Sequence, residues 1–295
     1  MDSESKTPAD VAILPRDRSF RCGTENPRWW LGGDPIATAY YNAFSSSFPQ
    51  VERYFIEAMR RYRDRAAPQL KREIAAFIAQ EHVHSREHIT FNRETICKGY
   101  DLSRVDAFLK KRLEWARTLS PVRQVASAAA LEHCTAVLCH EVIAKRQLDT
   151  APEEIGRLMY WHAGEEVEHK GVAFDTFMLA AREMSRFARW RMRCSTMLAS
   201  TGMLAKFFAF SLREFYRQDG IASLRTWIRF LKFALIEPGA IGRSVAPYFA
   251  WYLPGFHPWH RDDRALIAMA EWASTSPKGG NWQPDLGPER QYAKI

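Results

Sequence analysis

The stretch WHAGEEVEHK, residues 161–170, puts two histidines and three glutamates into ten positions. On an α-helix, residues three and four apart share a face. His162, Glu166 and His169, separated by four and then three positions, therefore project together. Glu165 and Glu168 turn elsewhere, toward solvent or a neighbour. A charged run of this kind is ordinarily a solvated helix face, so the rest of the chain has to decide between that reading and a metal site.

Upstream, QEHVHSREH (residues 80–88) repeats the Glu-x-x-His spacing with Glu81 and His84, and places His88 one turn further on the same face. A carboxylate-bridged dinuclear site in a four-helix bundle uses two such helices and one inward glutamate from each of the other two. Glu52 in FPQVERYF and Glu132 in AALEHCTA supply these, each in the helical segment before a Glu-x-x-His motif. The separations from lone glutamate to motif glutamate are 29 and 34 residues, those of two antiparallel hairpins, and the motifs themselves lie 85 residues apart. A single E-x-x-H recurs by chance, but two of them with matched partners form a specific pattern. The apolar setting of Glu132 strengthens it, because an uncompensated buried carboxylate costs several kcal/mol.

Four carboxylates with two imidazoles suit two iron ions; manganese also fits the donor set, and zinc fits less well. Four negative charges would offset two divalent cations. His162, one turn before Glu166, is placed as an additional ligand. His88 is either a ligand or a hydrogen-bond support for one. His82, His133 and His140 fall on other faces as packing residues, and Glu87, Glu141, Glu165 and Glu168 read as ion-pair or surface carboxylates. Tyr160 and Trp161 border the motif as core aromatics.

The surroundings are helical throughout. Segments rich in Ala, Leu, Arg, Glu, Gln and Met predominate, and alternating β-branched runs are missing. The expected fold class is all-α, a four-helix bundle with additional C-terminal helices. An irregular arm is expected over residues 1–34, interrupted by Pro8, Pro15, Pro27 and Pro35. The bundle should cover 35–186, with helices over about 34–64, bent near Pro49, 68–97, a shorter one over 103–118, 120–148, and a last one from Pro152 to about Arg186. A basic, apolar helical extension packed on the bundle follows over 187–273, and a peripheral tail over 274–295.

At 295 residues with 46% hydrophobic and 26% charged residues, the chain is too apolar for disorder. Its five scattered cysteines lack a C-x-x-C pair, which argues against a disulfide framework or a zinc ribbon and for a reducing compartment. The acidic, polar start MDSESKTPADVAILP lacks the apolar run of a secretory signal, so a cytoplasmic location is expected. The net charge of +8 is concentrated in residues 182–264, where fourteen Lys or Arg face six Asp or Glu. There the cations alternate with apolar residues, as in RFARWRMRCSTML and LRTWIRFLKFALI. This pattern admits peripheral contact with the inner face of a membrane, an acidic partner, or long basic stems covering apolar surface. No nucleic-acid motif accompanies the charge, so nucleic acid is not an expected partner. Residues 244–260, SVAPYFAWYLPGFHPWH, are uncharged but too short and proline-rich to span a bilayer, and read as a buried loop ahead of a monotopic anchor.

Taken together, RWWLGGDPIATAYYNAFSSSFPQVERYF, FIAQEHVHSREHITFN, AALEHCTAVL, WHAGEEVEHKGVAFD and PGFHPWHRDD resemble the bacterial predicted metal-dependent hydrolase family of ferritin-like proteins over roughly residues 28–263. The likeness implies a ferritin-like bundle and a metal-dependent enzyme. The set Glu52, Glu81, His84, Glu132, His162, Glu166 and His169 also resembles the ligand pattern of the di-iron p-aminobenzoate N-oxygenases, including the extra histidine. One departure is Val51, where the family commonly has glycine. Two chemistries are therefore expected in order: a di-iron oxygenase or oxidase acting on a small organic or lipid-like substrate with an electron donor, and alternatively a dinuclear hydrolase. A homodimer stays open.

Overall fold

A computed structural model describes residues 5–23 and 25–276. Helix α1 (Pro35–Arg63) opens where the Asp34 carboxylate accepts hydrogen bonds from the backbone N–H groups of Ile36 and Ala37. It stays helical through Pro49. The Ser45 carbonyl, which a proline four residues on cannot serve, accepts instead from Asn92 Nδ2 at 2.9 Å. Helix α2 (Pro68–Cys97) starts on its proline and packs antiparallel along α1. The short α3 (Ser103–Arg117) crosses to α4 (Pro121–Ala144), which again begins on a proline.

The fourth arm of the bundle differs from expectation. One helix was expected from Pro152 to about Arg186, but α5 (Glu153–His169) ends at Lys170 and α6 (Val172–Ala180) follows after Gly171. The C-terminal segment enforces the break. Lys170 Nζ donates to Asp263 Oδ2 at 2.5 Å and to the Arg261 carbonyl at 2.8 Å. Trp259 lies so close to Gly171 that a Cβ there would come within 2.8 Å of its ring.

Beyond a turn, α7 (Arg186–Gln218) packs against α4 and α1, capped at its start by Ser185. Helix α8 (Leu224–Leu235), the short α9 (Ala240–Arg243) and α10 (Val245–Ala250) follow it. Helix α11 (Arg264–Thr275) lies along α5. The contact is close enough that a Cβ at Gly164 would meet Ala270 Cβ at 2.7 Å. Among the described residues there is no strand, and no helix is long and apolar enough to cross a membrane. The tail expected over 274–295 lies outside the described residues from 277 onward.

Two apolar layers enclose the polar centre. Leu70, Ile74, Phe77, Val125 and Phe177 pack at one end of the bundle. Trp30, Tyr41, Leu158 and Trp161 pack at the other. Each fully buried large side chain contributes about 1.5–3 kcal/mol.

The described residues of the N-terminal arm form no helix but are not loose. Leu14 N–H donates to Glu168, Phe20 N–H to Glu87, and Arg28 pairs with Asp219. The arm thus runs as a strap across α2, α5 and the end of α7. Residues 244–260 divide between the two expectations for them: Trp251, His257 and Pro258 are buried, while Val245, Phe249 and Leu253 are exposed.

Candidate metal centre

All seven residues of the sequence pattern converge between α1, α2, α4 and α5, and all are buried. Glu52 comes from the middle of α1, Glu81 and His84 from α2, Glu132 from α4, and His162, Glu166 and His169 from α5. Three overlapping groups have donor atoms within 4.8 Å of one another: Glu81, Glu132 and His169; Glu52, His84 and His162; and Glu81, His84 and Glu166. The first two describe two adjacent cation positions. Glu81 and Glu166 stand between them.

The donor atoms do not satisfy one another. Nine of them have no hydrogen-bond partner although buried: Glu52 Oε1, both oxygens of Glu81 and of Glu132, His84 Nδ1, His162 Nε2, Glu166 Oε2 and His169 Nε2. Every one of the seven residues contributes at least one. His169 Nε2 lies 3.2 Å from Glu132 and 3.3 Å from Glu81, and His162 Nε2 lies 3.1 Å from Glu166, without hydrogen-bond alignment. Buried polar groups are almost always partnered, so nine orphans in one spot call for an occupant. Four carboxylates with three imidazoles are the donor set of a dinuclear centre of the iron, manganese or zinc kind.

Electrostatics gives the same result. Burial, reinforced by the charge of Glu166, holds the carboxyl groups of Glu52 and Glu81 well above the usual range and pushes Glu132 up to about 7. Burial works to raise Glu166 as well, but His162 and His169 outweigh it and leave that carboxyl well below. Burial and its imidazole neighbours hold His84 well below the ordinary value, so the ring is neutral and has a lone pair to offer. Burial works to lower His169, but Glu132 and Glu166 outweigh it and hold that imidazole well above its ordinary value. Without cations such a site keeps protons on Glu52, Glu81 and His169, and cations would displace them.

A ring of supporting groups orients each imidazole, and most of it was not read from the sequence. His84 Nε2 lies 3.0 Å from Glu165 Oε2, which fixes the proton on Nε2 and turns Nδ1 to the centre. His169 Nδ1 donates to Gln80 Oε1 at 3.0 Å, leaving Nε2 facing the cations. Ser45 Oγ donates to Asn92 Oδ1 and so accepts from His88 Nδ1–H at 2.8 Å. The Nε2 of His88 then accepts from His162 Nδ1–H at 2.7 Å. Both nitrogens of His88 are thereby engaged, which makes it the support of the two roles open to it. Ser85 donates to Glu52 Oε2 at 2.7 Å.

Glu165 and Glu168 are not surface carboxylates. Both are buried, and Arg16 of the N-terminal strap bridges them at 3.0 and 2.7 Å. A signal was present: Trp161, Glu165 and Glu168 share a second helix face, and α5 has almost no polar outer face left to expose. His133 packs on Trp251 and His140 meets Asp263 at 2.9 Å, as read, whereas His82, expected to pack, is exposed because it lies on the outer face of α2. Glu87 pairs with Arg86 and Glu141 lies near Arg261.

A small cavity borders Glu52 and Glu166, walled by Phe44, Phe48, Phe55 and Leu131. A larger one of about 390 Å³ shares Phe44, Cys134, Leu138 and Leu204 with it. Residues 14–262 match the family model described as predicted metal-dependent hydrolase, well over half of the chain. No curated protein and no solved structure matches it.

Proposed function

The chain belongs to the predicted metal-dependent hydrolase family, and from that premise we propose that it is a dinuclear metal enzyme that cleaves an ester or amide bond in a largely apolar molecule. The observation that carries this reading is the convergence of nine unpartnered, buried donor atoms from seven side chains beside an apolar cavity. Glu81, Glu132 and His169 would hold one cation, and Glu52, His84 and His162 the other, with Glu166 joining them. When bound, the pair supplies Lewis acidity that makes a coordinated water acidic and polarises a carbonyl.

The chain's own residues do the rest. Gln80, Glu165 and the His88–Ser45–Asn92 relay hold the three imidazoles in the tautomer that presents a lone pair. Ser85 anchors one oxygen of Glu52 and leaves the other free. Glu52 and Glu166 border the small cavity, so a substrate seated there would lie against the carboxylates that hold the cations. Phe44, Phe48 and Phe55 seat the apolar part of the substrate and keep bulk water out.

One observation favours a second reading, oxidation of the substrate by a di-iron centre with an external electron donor. The wall of the small cavity contains no Lys, Arg or His to stabilise an oxyanion. Anaerobic turnover separates the two. Protein loaded in turn with zinc, manganese and iron is assayed without oxygen on p-nitrophenyl esters of increasing chain length. Hydrolysis predicts metal-dependent product under these conditions. Turnover only with iron, oxygen and a reductant, together with an absorption that bleaches on reduction and returns in air, overturns hydrolysis in favour of oxidation.

A further inference from the structure

Among the described residues, the extension after α7 leaves one face apolar and uncovered. On α8, Leu224, Ile228, Leu231 and Leu235 follow a four-three-four spacing on one line, and each is at least 50% exposed. The helix buries Thr226 and Ala234 against the body, so its apolar arc is wider than the surface it packs on. A second line, Arg225, Arg229 and Lys232, runs beside the first, one residue on. Next in the chain, Ile236, Ile241, Val245, Phe249 and Leu253 are also exposed apolar residues, on or flanking α9 and α10.

The 390 Å³ cavity opens through this face. Ile241, Val245 and Phe249 line its mouth, while Phe230 of α8 and Ala205 of α7 form its sides. Its volume is that of a small-molecule pocket, and its lining is almost wholly apolar. At the inner end it shares Phe44, Cys134, Leu138 and Leu204 with the cavity that borders Glu52 and Glu166. The two cavities thus share a wall, which sets the apolar outer one directly beside the candidate metal centre.

We propose that the face formed by α8, α9 and α10 seats in an anionic membrane leaflet, and that the cavity takes the acyl chain of a lipid from it. The second half rests on the dinuclear reading above, since it makes the lipid that site's substrate. Charge selects the occupant. Over residues 221–260 the cations are Arg225, Arg229, Lys232 and Arg243, and the sole acid is Glu237. An apolar helix face flanked by cations is the arrangement of an in-plane helix lying at the headgroup boundary of anionic lipid. A second copy of the chain would instead set the same cations against themselves. No described helix can cross the bilayer, so the contact is with one leaflet only. In the other basic run Arg189 and Arg193 are buried, Arg193 donating to the Leu253 carbonyl, while Arg186 and Arg191 are exposed and add to the cationic surface.

The test is flotation of the full chain with phosphatidylcholine vesicles and with mixed phosphatidylcholine–phosphatidylglycerol vesicles. The chain should float with the anionic vesicles. Each surface cation near an anionic membrane strengthens binding several-fold, so R225Q/R229Q/K232Q should weaken partitioning by roughly a hundredfold. These positions are exposed, and the variant should melt like the wild type. Leu231→Glu and Phe249→Glu should each reduce flotation. In parallel, uptake of the fluorescent fatty acid cis-parinaric acid should be saturable and should fall in Ala205→Trp, which fills the cavity from its side while leaving flotation intact. Both readouts use chelated as well as metal-loaded protein. Absence of ester turnover alone strikes the hydrolytic reading, whereas absent flotation, or flotation undiminished in the triple variant, overturns the membrane contact. A dimer that Leu231→Glu separates, with no flotation, also overturns it. Failure of cis-parinaric acid to bind overturns the acyl-chain site.

Discussion

Replacing Arg16 by glutamine tests whether the N-terminal strap is part of the centre's support. The guanidinium is the cation shared by Glu165 and Glu168, each with a side chain only 2% exposed. Removing one partner of a buried ion pair costs about 3–5 kcal/mol. The cost here is smaller for two reasons. Arg16 is itself 22% exposed, and both carboxylates keep neutral donors: Trp161 Nε1 and His84 on Glu165, Leu14 N–H and Gln80 on Glu168. A loss of about 2–3 kcal/mol is expected, which for a chain of this size is a fall in melting temperature of roughly 4–12 °C. Glu165 orients His84, so metal affinity should drop about 10–100-fold as well. Calorimetry of chelated and loaded protein, with metal analysis by mass spectrometry, reads both effects. Arg16→Lys should recover less than half of the stability, since an ammonium cannot present the fork that reaches two carboxylates. If Arg16→Gln melts within 1 °C of wild type and holds its metal equally well, the strap is ornamental and the reasoning about Glu165 and Glu168 fails.

Glu132→Leu and His169→Ala should each lose metal sharply. Because the carboxylate is a burden without cations, chelated Glu132→Leu should melt no lower than the chelated wild type; unchanged metal loading in both variants would refute the assignment. Valine at Gly164 should destabilise by about 1–3 kcal/mol through its collision with Ala270, a cost that denaturant titration would have to find absent for the α5–α11 contact to be misjudged. In the native protein at pH 8, Cys97, which is exposed, should react first with a thiol reagent, and Cys97→Ser should abolish that fast phase. Cys22 and Cys134 should stay silent until denaturation, since burial pushes both thiols up to about 12; rapid labelling of either would contradict the packing around it.

What could be read in the chain alone was whatever depends on local periodicity. The 3.6-residue repeat places His162, Glu166 and His169 on one line and Glu81 with His84 on another, wherever those helices lie. Prolines read as helix starts, at Pro68 and Pro121, set the beginnings of α2 and α4 to within a residue or so, whereas Pro35, read as an interruption, opens α1. The presence of Glu52 and Glu132 in apolar runs was equally legible, because burial of a charge demands a partner. Tertiary structure decided everything that depends on what covers the second face of a helix. Glu165 and Glu168 look like solvent-facing charges until Arg16, roughly 150 residues earlier, is laid over them. The break at Lys170 and Gly171 needs Asp263 and Trp259, about 90 residues later. The choice for His88 needed Ser45 and His162 at its two nitrogens. The reason is common to all three: a sequence period specifies which side chains share a direction, but the dielectric and the partners met in that direction come from segments brought there only when the chain folds.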